Sequence, residues 1–145
     1  MKNSFLHFKL DDKIMKSIKE LGFKRPTPIQ SKVIPHLLLS NQDLIATAQT
    51  GTGKTAAFGL PLLQLTDTKN NSIQTLILCP TRELCLQIGK DLSNYSKYLK
   101  NIDILSVYGG AKIDKQIRSL KKGPQIIVGT PGRTKDLIRR KKLFL

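Results

Sequence analysis

Ala48-Gln49-Thr50-Gly51-Thr52-Gly53-Lys54-Thr55 is the stretch of this chain whose residue types and spacing suit a phosphate chain. Gly51 and Gly53 can take positive φ and turn consecutive N–H groups toward an anion. Lys54 supplies a point charge for β- and γ-phosphates, and Thr55 a hydroxyl for Mg²⁺. A helix beginning here adds its positive end. The chemistry implied is the binding of a nucleoside triphosphate with Mg²⁺. Ala48 stands where the general pattern has Gly, and the alternative for the whole stretch is a glycine-rich turn without a ligand. The apolar run Leu44-Ile45-Ala46 ahead of it and the helix-prone stretch behind it favour the phosphate cradle. Three further clusters are polar or glycine-rich: Pro80-Thr81-Arg82-Glu83, Gly109-Gly110 and Thr130-Pro131-Gly132-Arg133. Each precedes a predicted helix and so presents unpaired backbone N–H groups to an anion. Taken singly, each also reads as an ordinary cap or tight turn.

The elements that must position these clusters follow from periodicity. Asp11 or Asp12 caps a helix whose apolar positions Ile14, Ile18 and Leu21 share a face, with Gly22 as its stop. A second helix follows Pro28. From Asp43 the pattern predicts strand 44–48, helix 54–65, strand 75–79, helix 82–99, strand 103–108, helix 112–122, strand 125–129 and helix 132–142. Strand–helix units in succession predict an α/β fold with a doubly wound parallel sheet. Residues 1–42 then form an N-terminal helical segment and residues 43–145 the α/β part. In a parallel sheet every strand-to-helix turn leaves by one edge, where ligands of such folds bind. All four clusters are therefore expected along that edge, and Asp67 to Gln74 is a polar surface loop.

The chain has 145 residues, 39% of them apolar, enough for a real core. Lys and Arg number 25 against 10 Asp and Glu, a net charge of +15, which predicts a positive field and a polyanionic partner. Nucleic acid fits that field, and solubility charge is the alternative. Cys79 and Cys85 are too few for a disulfide framework and read as buried, reduced packing residues. His7 and His36 are isolated, so neither is given a metal role. No segment suits a signal peptide or a membrane span, which predicts a cytoplasmic protein with no membrane partner.

Across essentially its whole length the sequence resembles the N-terminal RecA-like domain of DEAD-box ATP-dependent RNA helicases. Gly22-Phe23-Lys24-Arg25-Pro26-Thr27-Pro28-Ile29-Gln30 resembles the family's Q motif, and Phe5 stands where the family keeps an isolated upstream aromatic. Ala48 to Thr55 resembles motif I, whose first position is Ala in this family. Pro80-Thr81-Arg82-Glu83-Leu84 resembles motif Ia, Gly109-Gly110 the GG motif, and Thr130-Pro131-Gly132-Arg133 motif Ib. The run from Ala48 to Phe58 is similar to bacterial cold-shock-type members.

The resemblance implies ATP and Mg²⁺ as cofactors, with Phe5, Phe23, Gln30 and residues 48–55 binding the nucleotide. Gln30 would read adenine and Phe23 would stack on it. The alternatives are a helix-start residue satisfying its own backbone and plain core packing. Lys54 and Thr55 would serve catalysis, with Thr55 on the metal. Motif Ia, the GG turn and motif Ib would hold the sugar–phosphate backbone of single-stranded RNA, independently of base order. Thr134 replaces the family's usual aliphatic residue. No acid able to hold Mg²⁺ at the end of a second strand is found after Lys54. The family carries its Asp-Glu-Ala-Asp motif and a second RecA-like domain further on, with neighbours of the strand before Ala48. The chain is accordingly read as an incomplete RecA-like domain, inactive in hydrolysis alone, in which that strand lacks partners. The alternative is a non-catalytic basic module that binds nucleotide and RNA as it stands. A small P-loop kinase or GTPase would leave the Q motif and motif Ib unexplained.

Overall fold

In the computed structural model, which describes residues 4–145, a 3₁₀ turn at Phe5–Phe8 leads into α1 (Asp12–Glu20), α2 (Pro28–Leu39) and α3 (Lys54–Leu65). There follow β1 (Thr75–Leu78), α4 (Arg82–Tyr95), β2 (Ile104–Val107), α5 (Ile113–Leu120), β3 (Ile126–Gly129) and α6 (Pro131–Arg139). Contacts group these into one unit of the described residues up to Leu65 with Asn94–Leu99, and a second of Thr66–Ser93 with Lys100–Leu145. No described helix is long and apolar enough to cross a membrane.

In the first unit the helix starts are chemical. The Asp11 carboxylate accepts from Lys13 N–H at 2.7 Å, while Asp11 N–H donates to Gln64 Oε1 at 2.8 Å, tying the start of α1 to α3. Ile14 and Ile18 are buried one turn apart, and Gly22 takes φ +82° beyond the helix end. Thr27 opens α2 with a reciprocal capping box, its side chain meeting Gln30 N–H and its own N–H donating to Gln30 Oε1 at 2.9 Å. Phe23 packs between Phe5 and Tyr95, with both ring pairs 5.9 Å apart. Hydrogen bonds from Lys97 and then Tyr98 hold the Glu20 carboxyl below the usual glutamate range.

The second unit is built on a parallel sheet in the order β1-β3-β2. Alternation along its strands serves two faces. Leu76, Ile127, Leu105 and Val107 join Leu120, Leu137 and Leu143 in a core completed by Ile113 and Ile117 of α5. On the other face Cys85 of α4 donates its Sγ–H to Val128 O at 3.1 Å, and Gly89 lies against Ser106. A Cβ at Gly89 would collide with the Ser106 hydroxyl, so glycine lets α4 sit close to β2.

Three expectations need correction. Residues 44–48 form no strand: Ile45 is 96% exposed, and among the described residues nothing pairs with this run. An apolar run marks what can be buried, but a strand requires a neighbour for its N–H and C=O groups. The helix predicted over 82–99 ends at Tyr95, where Leu99 N–H closes a turn onto Ser96 O at 2.8 Å. The helix predicted over 132–142 spans Pro131–Arg139, because Lys141 adopts φ +53° and Lys142 N–H donates back to Leu137 O at 3.0 Å. That left-handed close seats Leu143 in the core. The other strands and α5 differ from expectation only at their ends.

Gln125 is 2% exposed and pins the base of the sheet, accepting from Asp103 N–H at 2.8 Å and donating to Asn101 O at 3.3 Å. Gln125→Leu strands both groups and is expected to cost about 1–3 kcal/mol in urea denaturation; an unchanged midpoint would refute the pin. Thr134 is 4% exposed, with its hydroxyl pressed against Gly129 and without a hydrogen-bond partner among the described residues. The near-isosteric Thr134→Val is therefore expected to raise stability by about 1 kcal/mol in the same measurement, and a loss would show that the hydroxyl is satisfied.

Candidate functional site

In the loop before α3, Gly51 and Gly53 adopt φ +78° and +80°, conformations that side chains with a Cβ resist. Thr52 Oγ1–H donates to Gln49 O at 2.7 Å and closes the turn. The Lys54 ammonium folds back over the loop, donating to Ala48 O at 2.5 Å and Gln49 O at 2.8 Å. Thr55 follows in the first turn of α3, whose leading N–H groups have no acceptor within the helix. The curled loop, the helix start and a lysine resting on carbonyls have the geometry and charge to hold an anion, and the lysine meanwhile donates to backbone oxygens.

The start of α2 is part of this loop's support. Thr27 Oγ1–H donates to Thr52 O at 2.8 Å, and Gln30 Nε2–H donates to Gly53 O at 3.1 Å. A Cβ at Gly53 would collide with the Gln30 amide, so the glycine serves the contact as well as the turn. Gln30 is 3% exposed, and its amide is engaged on both sides, by Thr27 N–H and by Gly53 O. One lone pair and one N–H of the amide remain for a further partner. A cleft of about 240 Å³ beside the loop is lined by Pro28, Ile29, Lys32, Thr47, Ala48 and Thr52. Phe5 and Phe23 instead line a separate cleft of about 790 Å³, which includes Lys16, Lys19 and Lys24.

In the second unit the parallel register sets Leu78, Gly129 and Val107 level with one another at the strand ends. The turns that follow, 79–81, 108–112 and 130, therefore leave side by side. Pro80, Thr81, Arg82, Glu83, Gly109, Gly110, Pro131 and Gly132 are exposed, and Thr130 and Arg133 half-buried. Thr81 Oγ1 accepts from Leu84 N–H at 3.2 Å and caps α4. The Arg82 guanidinium lies 5.0 Å from the centre of the Tyr108 ring. Arg133 donates to Ala111 O through Nη1 and Nη2, at 3.2 and 3.1 Å, and to Gln116 Oε1 at 3.0 Å. This edge thus gathers the three predicted turns, whereas the phosphate loop is carried by the helices of the first unit and not by a strand of this sheet.

Sequence reasoning passed over Tyr108 and Gln116. Gln116 falls in the apolar frame Ile113, Ile117, Leu120 of α5, and a polar residue in such a frame was the available signal. Cys79 and Cys85 are buried free thiols beside the turn at 80–81. Burial, and next the neighbouring Cys79, push the Cys85 thiol up to about 11, which makes it an inert packing group at neutral pH.

The chain is 56% identical over 141 residues to the ATP-dependent RNA helicase CshA of Listeria monocytogenes, an alignment covering 97% of this chain and 27% of that protein. It is 44% identical to the ATP-dependent RNA helicase DeaD of Escherichia coli, over 98% of this chain and 22% of that one. The chain thus spans about a quarter of the length of these curated relatives. Among solved structures, a DEAD box protein from the hyperthermophile Methanococcus jannaschii superposes with a TM-score of 0.92 at 43% identity, over 99% of this chain and 39% of that chain. The sequence model described as DEAD/DEAH box helicase matches residues 27–145, from the cap of α2 to the last residue. A match of that extent takes in the phosphate loop and all three turns of the sheet edge, and the chain belongs to the DEAD/DEAH box helicase family.

Proposed function

We propose that this chain supplies an ATP-binding half-site and a set of RNA backbone contacts to an ATP-dependent RNA helicase that separates short duplexes in the cytoplasm. One observation carries the reading: the Thr27–Gln30 cap is hydrogen-bonded onto the phosphate loop at Thr52 O and Gly53 O. A segment able to sense adenine is thereby built into the loop that holds phosphates, which a generic P-loop kinase or GTPase does not require. In this reading residues 1–42 contribute the base-sensing segment and 43–145 the RecA-like part.

Gly51, Thr52 and Gly53 turn N–H groups toward the phosphates, and Lys54 exchanges the carbonyls of Ala48 and Gln49 for phosphate oxygens. Gln30 offers its remaining N–H and lone pair to an adenine edge, while Phe5 and Phe23 pack on one another in the separate cleft of the same segment. The residues at this site fit Mg²⁺ by way of Thr55. Thr55 would offer its hydroxyl to the ion at the start of α3. Mg²⁺ would neutralise charge on the phosphates during hydrolysis. On the sheet edge Thr81, Arg82, Gly109, Gly110, Thr130, Gly132 and Arg133 face a sugar–phosphate backbone. Pro80, Glu83 and Pro131 shape and cap those turns. Such contacts select RNA by form and leave base order unread.

Titration with a fluorescent ATP analogue is expected to saturate, with Lys54→Ala weakening it about 10–100-fold through loss of a charge-assisted contact. Single-stranded RNA affinity is expected to survive Lys54→Ala and to fall steeply with added salt, by a log–log slope of about 0.7 per phosphate engaged. Absence of saturable nucleotide binding, or a preference for guanine over adenine in competition, would overturn the reading.

A further inference from the structure

We infer that Gln116 is the positioning residue that joins the GG turn to motif Ib and presents Arg133 to RNA phosphate; the inference rests on the RNA reading above. Gln116 lies on the core side of α5, 7% exposed, with its amide engaged at both ends. Nε2–H donates to Tyr108 O at 3.1 Å, at the residue leading into Gly109-Gly110. Oε1 accepts from Arg133 Nη1–H at 3.0 Å, in the first turn of α6. One buried side chain therefore links the end of β2 to the start of the helix after β3.

Arg133 closes the loop by donating to Ala111 O, just past the glycines. These bonds occupy both hydrogens of Nη1 and one of Nη2. The Nε–H and the second Nη2–H remain on the other edge of the guanidinium, in the paired geometry that suits a phosphate. Without Gln116 the long arginine side chain would be held by Ala111 O alone and recover part of its rotamer freedom, which binding would have to remove again. Gly110, at φ +81°, stands close to the Arg82 guanidinium, so the same turn also abuts motif Ia. A shift of Tyr108 O would pass along the whole contact edge. A neutral amide suits the task because it offers a donor to one side and an acceptor to the other, while leaving the charge of Arg133 unneutralised for the ligand.

The test uses the full chain, a labelled single-stranded oligouridylate and a salt series. Gln116→Met keeps the volume and removes both bonds. It is expected to weaken RNA binding about tenfold and to lower the magnitude of the salt slope by about 0.7, the loss of one phosphate contact. Affinity for the ATP analogue stays at the wild-type value. A purely structural role would reduce the folded fraction and leave the slope and the nucleotide affinity of folded molecules unchanged. In an Arg133→Ala background Gln116→Met is expected to add no further loss, because it acts through Arg133. Should the Met variant fail to fold, Gln116→Glu keeps an acceptor for Arg133 but neutralises its charge and opposes the Tyr108 carbonyl, and it is expected to weaken RNA binding as well. Wild-type RNA affinity and slope in either folded variant, or full additivity with Arg133→Ala, overturns the inference while the RNA reading stands. Absence of salt-sensitive RNA binding by the wild-type chain removes both.

Discussion

Parallel pairing of β1 and β2 to a shared central strand is the constraint that brings the three turns to one edge. Because Leu78 and Val107 both sit level with Gly129, the backbone leaves the sheet at one height three times over, each time into a helix. Parallel strands cannot be joined by a tight hairpin, and here each strand is followed by a helix that begins with N–H groups lacking an internal acceptor. A row of anion-seeking helix starts is thus a geometric result of the topology. The residues at the turns refine it: Thr81 caps α4, the glycines at 109 and 110 bring the backbone to the surface, and Pro131 pre-sets the first turn of α6.

Three buried glutamines recur at the joints of the molecule. Gln30 connects the start of α2 to the phosphate loop, Gln116 connects the GG turn to α6, and Gln125 connects the base of β3 to the turn before β2. In each case the amide gives a hydrogen bond to a backbone carbonyl and receives one from an N–H, on two different segments for Gln30 and Gln116 and on the single turn 101–103 for Gln125. A charged side chain in the same place would carry a large desolvation cost, and an apolar one would leave both partners without that bond. The neutral amide avoids both. It also adds nothing to the net charge of +15.

The first unit solves a different problem, that of holding a curled, glycine-containing loop in one shape. Lys54 bridges two carbonyls of its own loop, Thr52 closes the turn from inside, and Thr27 and Gln30 brace it from α2. The cation that an incoming anion would use is therefore already part of the framework. Its hydrogen bonds to carbonyl oxygens are of the kind that phosphate oxygens can replace.

Much of this was legible in the residues themselves. Pro28 announced a helix with Gln30 in its first turn, and Asp11 a capped one. The runs at 75–79, 103–108 and 125–129 announced strands that exist to within a residue or so. Gly51 and Gly53 announced positive φ and have it. These features are local: each depends on a side chain meeting backbone a few residues away, or on a period that repeats within one element. Tertiary structure alone decided the rest. Leu44-Ile45-Ala46 has the composition of a strand yet pairs with nothing described, as the family resemblance implied and the run itself did not, because pairing is a property of two segments. Lys141 ends α6 in a left-handed turn that sequence habit reserves for glycine, since burying Leu143 offsets the local strain. Gln30 and Gln116 look like polar residues in helices until partners 23 and 17 positions away appear, at Gly53 and Arg133. Short-range chemistry is written in the order of the residues, whereas a contact between distant segments exists only once the chain has brought them together.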